Sequence, residues 1–374
     1  MRCGVGDYTK QLAMALRDQE NVTVAVLTDE SSSTLEGTGI EVYPIASGWV
    51  PPDAITIYNL VRRWEPDIVH IQYPTQGYGG KKLPWVLPTF FHCLGYPVVQ
   101  TWHEFISARW QHWSKLITPG GLVVVRGEMA DWLSHGFSRF MRNKILRHIP
   151  NASSIPAIQI TESEREEIRR GFAGNCRVNL VSFFGFAYPN KNIESLFSVA
   201  DPSRDYLLLI CELDPENDFQ RKIIDRINHP PWQGRAAATG FLPDIEVARL
   251  LAASDAAVFP FTEGGGSWNT SLQAASIQGT FVITTSTSRI GYDAVENIFY
   301  SAPGEVAKMG EALRANAGRR IPPRLSHRQD EWKKIASAHI FLYRETARRN
   351  LSMLGRQRGR DGSKSFGSSR IPIR

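Results

Sequence analysis

Residues 240–285 read GFLPDIEVARLLAASDAAVFPFTEGGGSWNTSLQAASIQGTFVITT, and the order of signals in this stretch decides the fold. Asp255–Phe261 (DAAVFPF) is an apolar run of strand length that opens directly into Thr262-Glu263-Gly264-Gly265-Gly266-Ser267. Leu272, Ala274 and Ala275 then continue as a helix, and 281–285 reads as a further strand. Strand, glycine-rich loop, helix, strand is the repeating unit of a parallel sheet with crossover helices. A glycine-rich loop between a buried strand and a helix N-terminus predicts free backbone N–H groups aimed at one point, which is how proteins hold phosphate. Glu263, at the mouth of that loop, suits a neutral, hydroxyl-rich part of the ligand instead. Together these features point to a nucleotide-sugar site.

The same alternation extends in both directions. Strand-like runs lie at 22–27, 67–72, 97–101 and 121–125, and a second series at 178–184, 206–211, 256–261 and 281–285. Helical patterns fall between them, among them 9–18, 162–170, 192–199 and 245–253. The proline-bounded segment Ile149–Pro156 (IPNASSIP) reads as a hinge between the two series. The expected fold class is therefore α/β, two Rossmann-like doubly wound domains facing a central cleft. The expected boundaries are an N-terminal domain over 1–152 and a C-terminal domain over 153–325. A helix over 326–350, with Trp332, Ile335, Ile340 and Tyr343 at helical spacing, crosses back to the first domain. A basic, disordered tail covers 351–374.

Composition excludes several classes. A chain of 374 residues exceeds one ordinary core, and 42% hydrophobic with 21% charged residues is a soluble globular balance. Cys3, Cys93, Cys176 and Cys211 lack the paired spacing of a disulfide framework or a zinc site, which favours a reducing compartment. Residues 1–20 carry Asp7, Lys10, Arg17, Asp18 and Glu20 where a secretory signal needs an apolar core, so a cytoplasmic location is expected. No apolar run reaches the roughly 20 residues that span a bilayer, since Leu83–Val99 is interrupted by Pro84, Pro88 and Pro97. The net charge of +6 is carried by the end of the chain, where nine basic residues from Arg344 onward face only Glu345 and Asp361. The body is close to neutral, which argues against nucleic acid as a partner.

An ordered set of motifs resembles the GT-B glycosyltransferases of the retaining, family-four kind. These are CGVGDYT (Cys3–Thr9), PDIVHIQY (Pro66–Tyr73), TWHEF (Thr101–Phe105), IPNASSIP, FFGFAYPNKNIESLF (Phe183–Phe197), the 240–261 segment and SLQAASIQG (Ser271–Gly279). The resemblance implies transfer of a sugar from a UDP- or GDP-sugar co-substrate to a glycan or lipid-linked acceptor, with retention of configuration, in polysaccharide or glycolipid biosynthesis. It implies no other cofactor, and no acidic cluster suited to a divalent metal is evident. His103 takes the place of the family's active-site histidine, hydrogen-bonding sugar hydroxyls or the leaving group; His70, at the end of the neighbouring strand, mainly supports the crevice. Glu263 resembles the carboxylate that contacts donor sugar hydroxyls. Lys191, after a strand and a turn, neutralises the donor diphosphate as its bond to the sugar breaks. Gly264, Gly265, Gly266 and Ser267, with Thr270 or Ser271 as helix-capping hydroxyls, would cradle the phosphates. The backbone beside Gly240 and Leu242 would meet the base. Gly4 and Gly6, in the loop before the first helix, would admit a phosphate or an acceptor close to the backbone.

Four departures from the family pattern stand out. The Gly4 loop normally follows a first strand, yet Met1 lies two residues before Cys3, so this strand is expected to be missing or the start misassigned. Phe186 occupies the place of a common arginine, Ala274 that of the second carboxylate, and Trp268-Asn269 that of arginines found in some relatives. Two other readings of the architecture therefore stay open, a non-catalytic relative that binds a sugar-nucleotide or a partner, and a sugar-nucleotide epimerase. Finally, Lys81-Lys82 followed by Leu83, Trp85, Val86, Leu87, Phe90 and Phe91 combines cations with large apolar groups. That combination suits an anionic membrane surface, on the inner face of the membrane, and equally suits a helix packed on its own domain.

Overall fold

The computed structural model describes residues 4–30, 38–73, 78–105, 113–174 and 178–360, with side chains described to residue 352. The chain divides into two compact units. One comprises the residues up to Asn151 together with those from Glu331 onward, the other Ala152–Asp330.

The first unit opens on helix α1, Gly4–Arg17. Gly4 and Gly6 thus lie in the first turn of a helix, not in a loop before one beginning at Thr9. Tyr8, Leu12 and Leu16 form a buried stripe at i, i+4, i+8, and Thr9 Oγ1 donates to the Val5 carbonyl at 2.7 Å, a helical i−4 contact. Burial of that stripe outweighs the poor helix propensity of glycine. Cys3, the first residue of that motif, lies outside the described residues.

Strands β1 (Ala25–Asp29) and β2 (Glu41–Ala46) pair in parallel as a separate two-stranded sheet. Strands β3 (Val69–Tyr73), β4 (Val98–Trp102), β5 (Gly120–Val124) and β6 (Lys144–His148) form a four-stranded parallel sheet in chain order. Every residue of β1 is only part-buried, whereas every residue of β4 is buried. Crossover helices α2 (Asp53–Trp64), α3 (Leu83–Cys93), α4 (Trp113–Ile117) and α5 (Gly127–Gly136) follow the strands. A short helix α6, Ser138–Met141, precedes β6. The proline-broken stretch 83–99 resolves into α3, with Pro84 in its first turn and Pro88 inside it, followed by β4.

The second unit has a seven-stranded sheet. In chain order its strands are β7 (Asn179–Phe184), β8 (Asp205–Ile210), β9 (Ala236–Ala238), β10 (Ala256–Phe259), β11 (Val282–Thr285), β12 (Gly291–Asp293) and β13 (Ile298–Ser301). Their spatial order is β12-β13-β11-β10-β7-β8-β9, parallel throughout except for β12. From β7 the chain winds outward through β8 and β9, then returns to β10 and continues the other way. The β7–β10 boundary is therefore the switch point, outside whose carboxyl end doubly wound sheets bind ligands. Helix α7 (Glu162–Ala173) is started by a capping box between Thr161 and Glu164, α8 is a single turn at Leu196–Val199, and α9 (Asp218–Asn228) precedes β9. Helix α10 (Asp244–Ala253) leads into β10, α11 (Thr270–Ser276) links β10 to β11, and α12 (Val306–Asn316) follows β13.

Asp255, just before β10, ties three of these elements together. Its carboxylate accepts from the Leu180 N–H at 2.7 Å and from Arg169 of α7 at 2.6 Å. Burial raises its pKa, opposed by those same bonds. Asp255→Asn keeps the shape but turns an amide toward the half-buried guanidinium. It is expected to cost about 2 kcal/mol, read as a lower urea midpoint with an unchanged m-value.

Two further segments differ from expectation. Residues 192–199 form a 3-10 turn, Ile193–Ser195, and then α8, in place of one helix. The C-terminal helix α13 runs His327–Arg360, so 351–360 are helical and not part of a disordered tail. That decade is rich in Leu, Met, Arg and Gln, which lose little rotamer freedom in a helix. Residues 361–374 lie outside the described residues.

Candidate functional site

In the second unit the loops after β7 and β10 meet. The chain leaves β7 through Gly185, at φ +138°, where an added Cβ would stand 3.6 Å from the Ser271 side chain. This close approach seats the end of β7 against the start of α11. The chain then turns through a 3-10 segment, Pro189–Lys191. Thr262 donates its N–H to the Asn190 carbonyl at 3.1 Å and its hydroxyl to the same oxygen at 3.3 Å. The turn holding Lys191 is thereby bonded to the residue next to Glu263. Lys191 Nζ lies 4.6 Å from the centroid of the Phe261 ring, a cation–π contact that restrains the ammonium. Glu263 is exposed.

The glycine-rich loop differs from its expected form. Its N–H groups are not free: Gly264 donates to Phe261 O at 3.4 Å, Gly265 to Thr285 O at 2.7 Å and Gly266 to Asn269 Oδ1 at 2.8 Å. The loop is a braced platform with its donors turned inward. Its glycines are needed for space, since a Cβ on Gly265 would stand 2.7 Å from Thr284 Oγ1 and one on Gly266 2.2 Å from the Trp268 ring. Gln273, from α11, donates to the Ser267 carbonyl and braces the loop from below. Asn269 stands where some relatives carry an arginine and Gln273 lies within SLQAASIQG, but their bracing roles depend on rotamers that sequence spacing does not reveal. The first turn of α11 adds the amides of Thr270 and Ser271, which have no intrahelical acceptor.

Ala274 is 0% exposed, pointing into the core from α11. A carboxylate at that position would be desolvated in an apolar cluster. Phe186 is partly exposed and stacks on Tyr188, with ring centroids 5.7 Å apart. Gly240, at φ +73°, donates its N–H to Cys211 O at 3.1 Å, which holds the loop after β9 to the end of β8. Leu242 is partly buried and packs against the core. The second unit thus gathers Lys191, Glu263, the glycine loop and Ser271 at one point, with Gly240 further along the same carboxyl edge.

His103, Gly4 and Gly6 belong to the first unit. His103 follows β4 and donates its N–H to Tyr73 O at 2.6 Å. Its ring meets Tyr8 of α1 edge-on, centroids 4.7 Å apart, so the helix bearing Gly4 and Gly6 runs beside it. His103 Nε2 lies 2.9 Å from Gln72 Oε1, while Gln72 Nε2 lies 3.3 Å from His70 Nε2. His70 also contacts Thr101 Oγ1 at 2.8 Å and Tyr343 OH of α13 at 2.7 Å. Desolvation, seconded by the neighbouring His339, pushes the pKa of His103 down to about 3, and the same two causes with His103 itself depress His70. Both imidazoles are neutral at physiological pH. Gln72 lies within the PDIVHIQY segment without a role assigned to it there, and its i, i+2 relation to His70 along β3 is the one sign that the two share a face.

Residues 3–154 match the protein family described as Glycosyltransferase Family 4. No curated protein matches the chain. Among solved structures it is similar to sucrose-phosphate synthase from Thermosynechococcus elongatus, at 15% identity and a TM-score of 0.64 over 96% of this chain and 94% of that one. It is similar to HepE from Anabaena, solved with UDP and glucose, at 14% identity and 0.63 over 94% and 96%. It is also similar to WaaG, a glycosyltransferase involved in lipopolysaccharide biosynthesis, at 14% identity and 0.56 over 92% and 95%.

Proposed function

We propose that this protein, a GT-B-fold glycosyltransferase whose residues 3–154 form a family 4 domain, transfers a sugar from a nucleotide diphosphate donor to a glycan or lipid-linked acceptor with retention of configuration. The observation that carries this reading is the bonded junction of the Lys191 turn and the Glu263 loop at the switch point of the second sheet. Lys191 and the first-turn amides of α11 neutralise charge as it grows on the leaving diphosphate. Glu263 accepts hydrogen bonds from the donor sugar, and His103, in the first unit, hydrogen-bonds a substrate hydroxyl. HepE was solved with UDP and glucose, which supports UDP as the nucleotide carried here. The clamp is built from a lysine and helix-terminal amides and calls for no metal.

A lipid-linked acceptor is favoured by the surface of the first unit. Helices α3, α4 and α6 contain no Asp or Glu. Val86, Phe90, Leu94, Trp113 and Ile117 are exposed on α3 and its immediate surroundings, and Arg139 and Arg142 lie close in sequence on α6 and just after it. Apolar groups rimmed by cations suit the interface of an anionic bilayer. No helix among the described residues is long and apolar enough to cross a membrane.

A second reading is favoured by the inward-turned amides of Gly264, Gly265 and Gly266 together with buried Ala274: a relative that binds a sugar-nucleotide without turning it over. Thermal shift with a panel of nucleotides and nucleotide sugars tests the donor site. A ligand at a hundredfold excess over its Kd is expected to stabilise the wild type by about 2.7 kcal/mol. Lys191→Ala is expected to weaken that binding about tenfold, the loss of one charge-assisted contact. No shift with any nucleotide sinks the donor-site reading. A shift without donor hydrolysis or transfer selects the non-catalytic one.

A further inference from the structure

Catalytic histidines differ in which ring nitrogen carries the proton, and here the surroundings decide it. His70 and Gln72 alternate along β3 onto one face, and Gln72 is paired in register with Thr101 of β4. The Gln72 side chain, 9% exposed, therefore lies between two imidazoles. Its Oε1 stands 2.9 Å from His103 Nε2, and an amide oxygen only accepts, so His103 carries its proton on Nε2. Its amide nitrogen faces His70 Nε2 at 3.3 Å and donates, so that nitrogen is bare and also accepts from the Thr101 hydroxyl. His70 then holds its proton on Nδ1 and donates it to Tyr343 OH. The same logic holds for the third histidine: His339 Nδ1 donates to the Ile335 carbonyl at 2.8 Å, which leaves its Nε2 facing Tyr8 OH as an acceptor.

We infer that Gln72 is a positioning residue that locks His103 as the Nε2–H tautomer and presents its Nδ1 lone pair as a hydrogen-bond acceptor for a substrate hydroxyl. His103 Nδ1 makes no hydrogen bond among the described residues, and His103 is only partly buried. With His103 neutral, the group accepts a hydroxyl hydrogen bond and does not act as a cationic donor to phosphate. The chain from α13 through Tyr343, His70 and Gln72 to His103 is a relay of orientation. This rests on the transferase reading for its substrate, though not for the tautomer itself.

The test is nitrogen NMR on the full chain with labelled histidine, His103 being assigned by comparison with His103→Gln. The expected wild-type spectrum has His103 Nε2 protonated and Nδ1 bare, unchanged between roughly pH 6 and 8. Gln72→Leu is expected to give a mixture of tautomers. Gln72→Glu, whose carboxylate accepts as the amide oxygen does, is expected to keep the proton on Nε2. A wild-type proton on Nδ1, or a Gln72→Leu spectrum identical to wild type, overturns the inference. Should Gln72→Leu not fold, wild type and Gln72→Glu decide: loss of the Nε2 proton in either overturns it. In transfer assays Gln72→Leu is expected to lower kcat roughly tenfold, about the worth of one net hydrogen bond, with donor KM unchanged and with rescue by Gln72→Glu. Because the tautomer is read without substrate, a wild type with the expected spectrum and no turnover counts against the transferase reading alone.

Discussion

Glu263→Ala is expected to lower turnover at least 100-fold, about 2.7 kcal/mol of transition-state stabilisation, while leaving the melting temperature where it was. The side chain is exposed, and its neighbours are held without it. Thr262 is bonded to the Asn190 carbonyl, and Gly264, at φ +84°, turns the chain inward behind it. Removing the carboxylate therefore takes nothing from the fold. It removes an acceptor beside Lys191, at the place where the donor sugar is proposed to lie. Charge-assisted hydrogen bonds to hydroxyls are roughly twice as strong as neutral ones, and those that tighten as the sugar acquires positive character act on kcat. Glu263→Gln separates the two contributions, since it keeps reach and shape and loses charge. It is expected to fall between wild type and alanine. Initial rates at saturating donor, measured beside a thermal melt, make the comparison. A wild-type rate in Glu263→Ala excludes the carboxylate from the site, and a fall in rate matched by a fall in melting temperature reassigns it to structure.

The part of the molecule that could be read from sequence is the part in which burial is continuous. Strands β4, β8 and β10 are buried at every residue, so each appears as an apolar run bounded by turn residues. Strands at sheet edges escape this signal. β6 (KILRH) carries a buried Lys144 that donates to the Thr118 carbonyl and ends on the exposed Arg147 and His148, β2 (EVYPIA) carries Pro44, which an edge strand tolerates, and β9 has three alanines only. Site residues divide in the same way. Lys191 and Glu263 sit in motifs whose spacing reflects loops between fixed elements. Gln72 was not legible, because its importance depends on the strand register that sets it between His103 and His70, and on Tyr343, which bonds His70 from 273 positions away in sequence. The glycine loop shows the converse error. Whether a glycine N–H is free depends on where the Thr285 carbonyl and the Asn269 side chain stand, and neither is encoded in the run of glycines.

That distinction between glycines that offer donors and glycines that make room leads to the largest stability effect expected in this chain. Gly279, between α11 and β11, has φ +74°, and a Cβ there would stand 1.9 Å from the Ile321 carbonyl oxygen and 2.9 Å from its carbon. The obstacle is backbone and not a movable side chain. It is also pinned, since Ile321 N–H donates to Gly279 O at 3.0 Å, Asn297 Nδ2 donates to the same oxygen at 3.2 Å, and Thr280 bridges to Arg320. Gly279→Ala incurs about 1–2 kcal/mol for a left-handed alanine and a further 1–3 kcal/mol for the displaced backbone at Ile321. A total near 4 kcal/mol is a large share of the stability of a domain of this size. The second unit is expected to melt well below the first, so a single thermal transition should split, and nucleotide binding should be lost with the lower one. Gly171→Ala is the matched control. It lies within α7 with no atom near its Cβ position, and it is expected to raise stability by about 0.5–1 kcal/mol through helix propensity. Equal effects at the two glycines would show that backbone entropy, and not the contact with Ile321, is what Gly279 contributes.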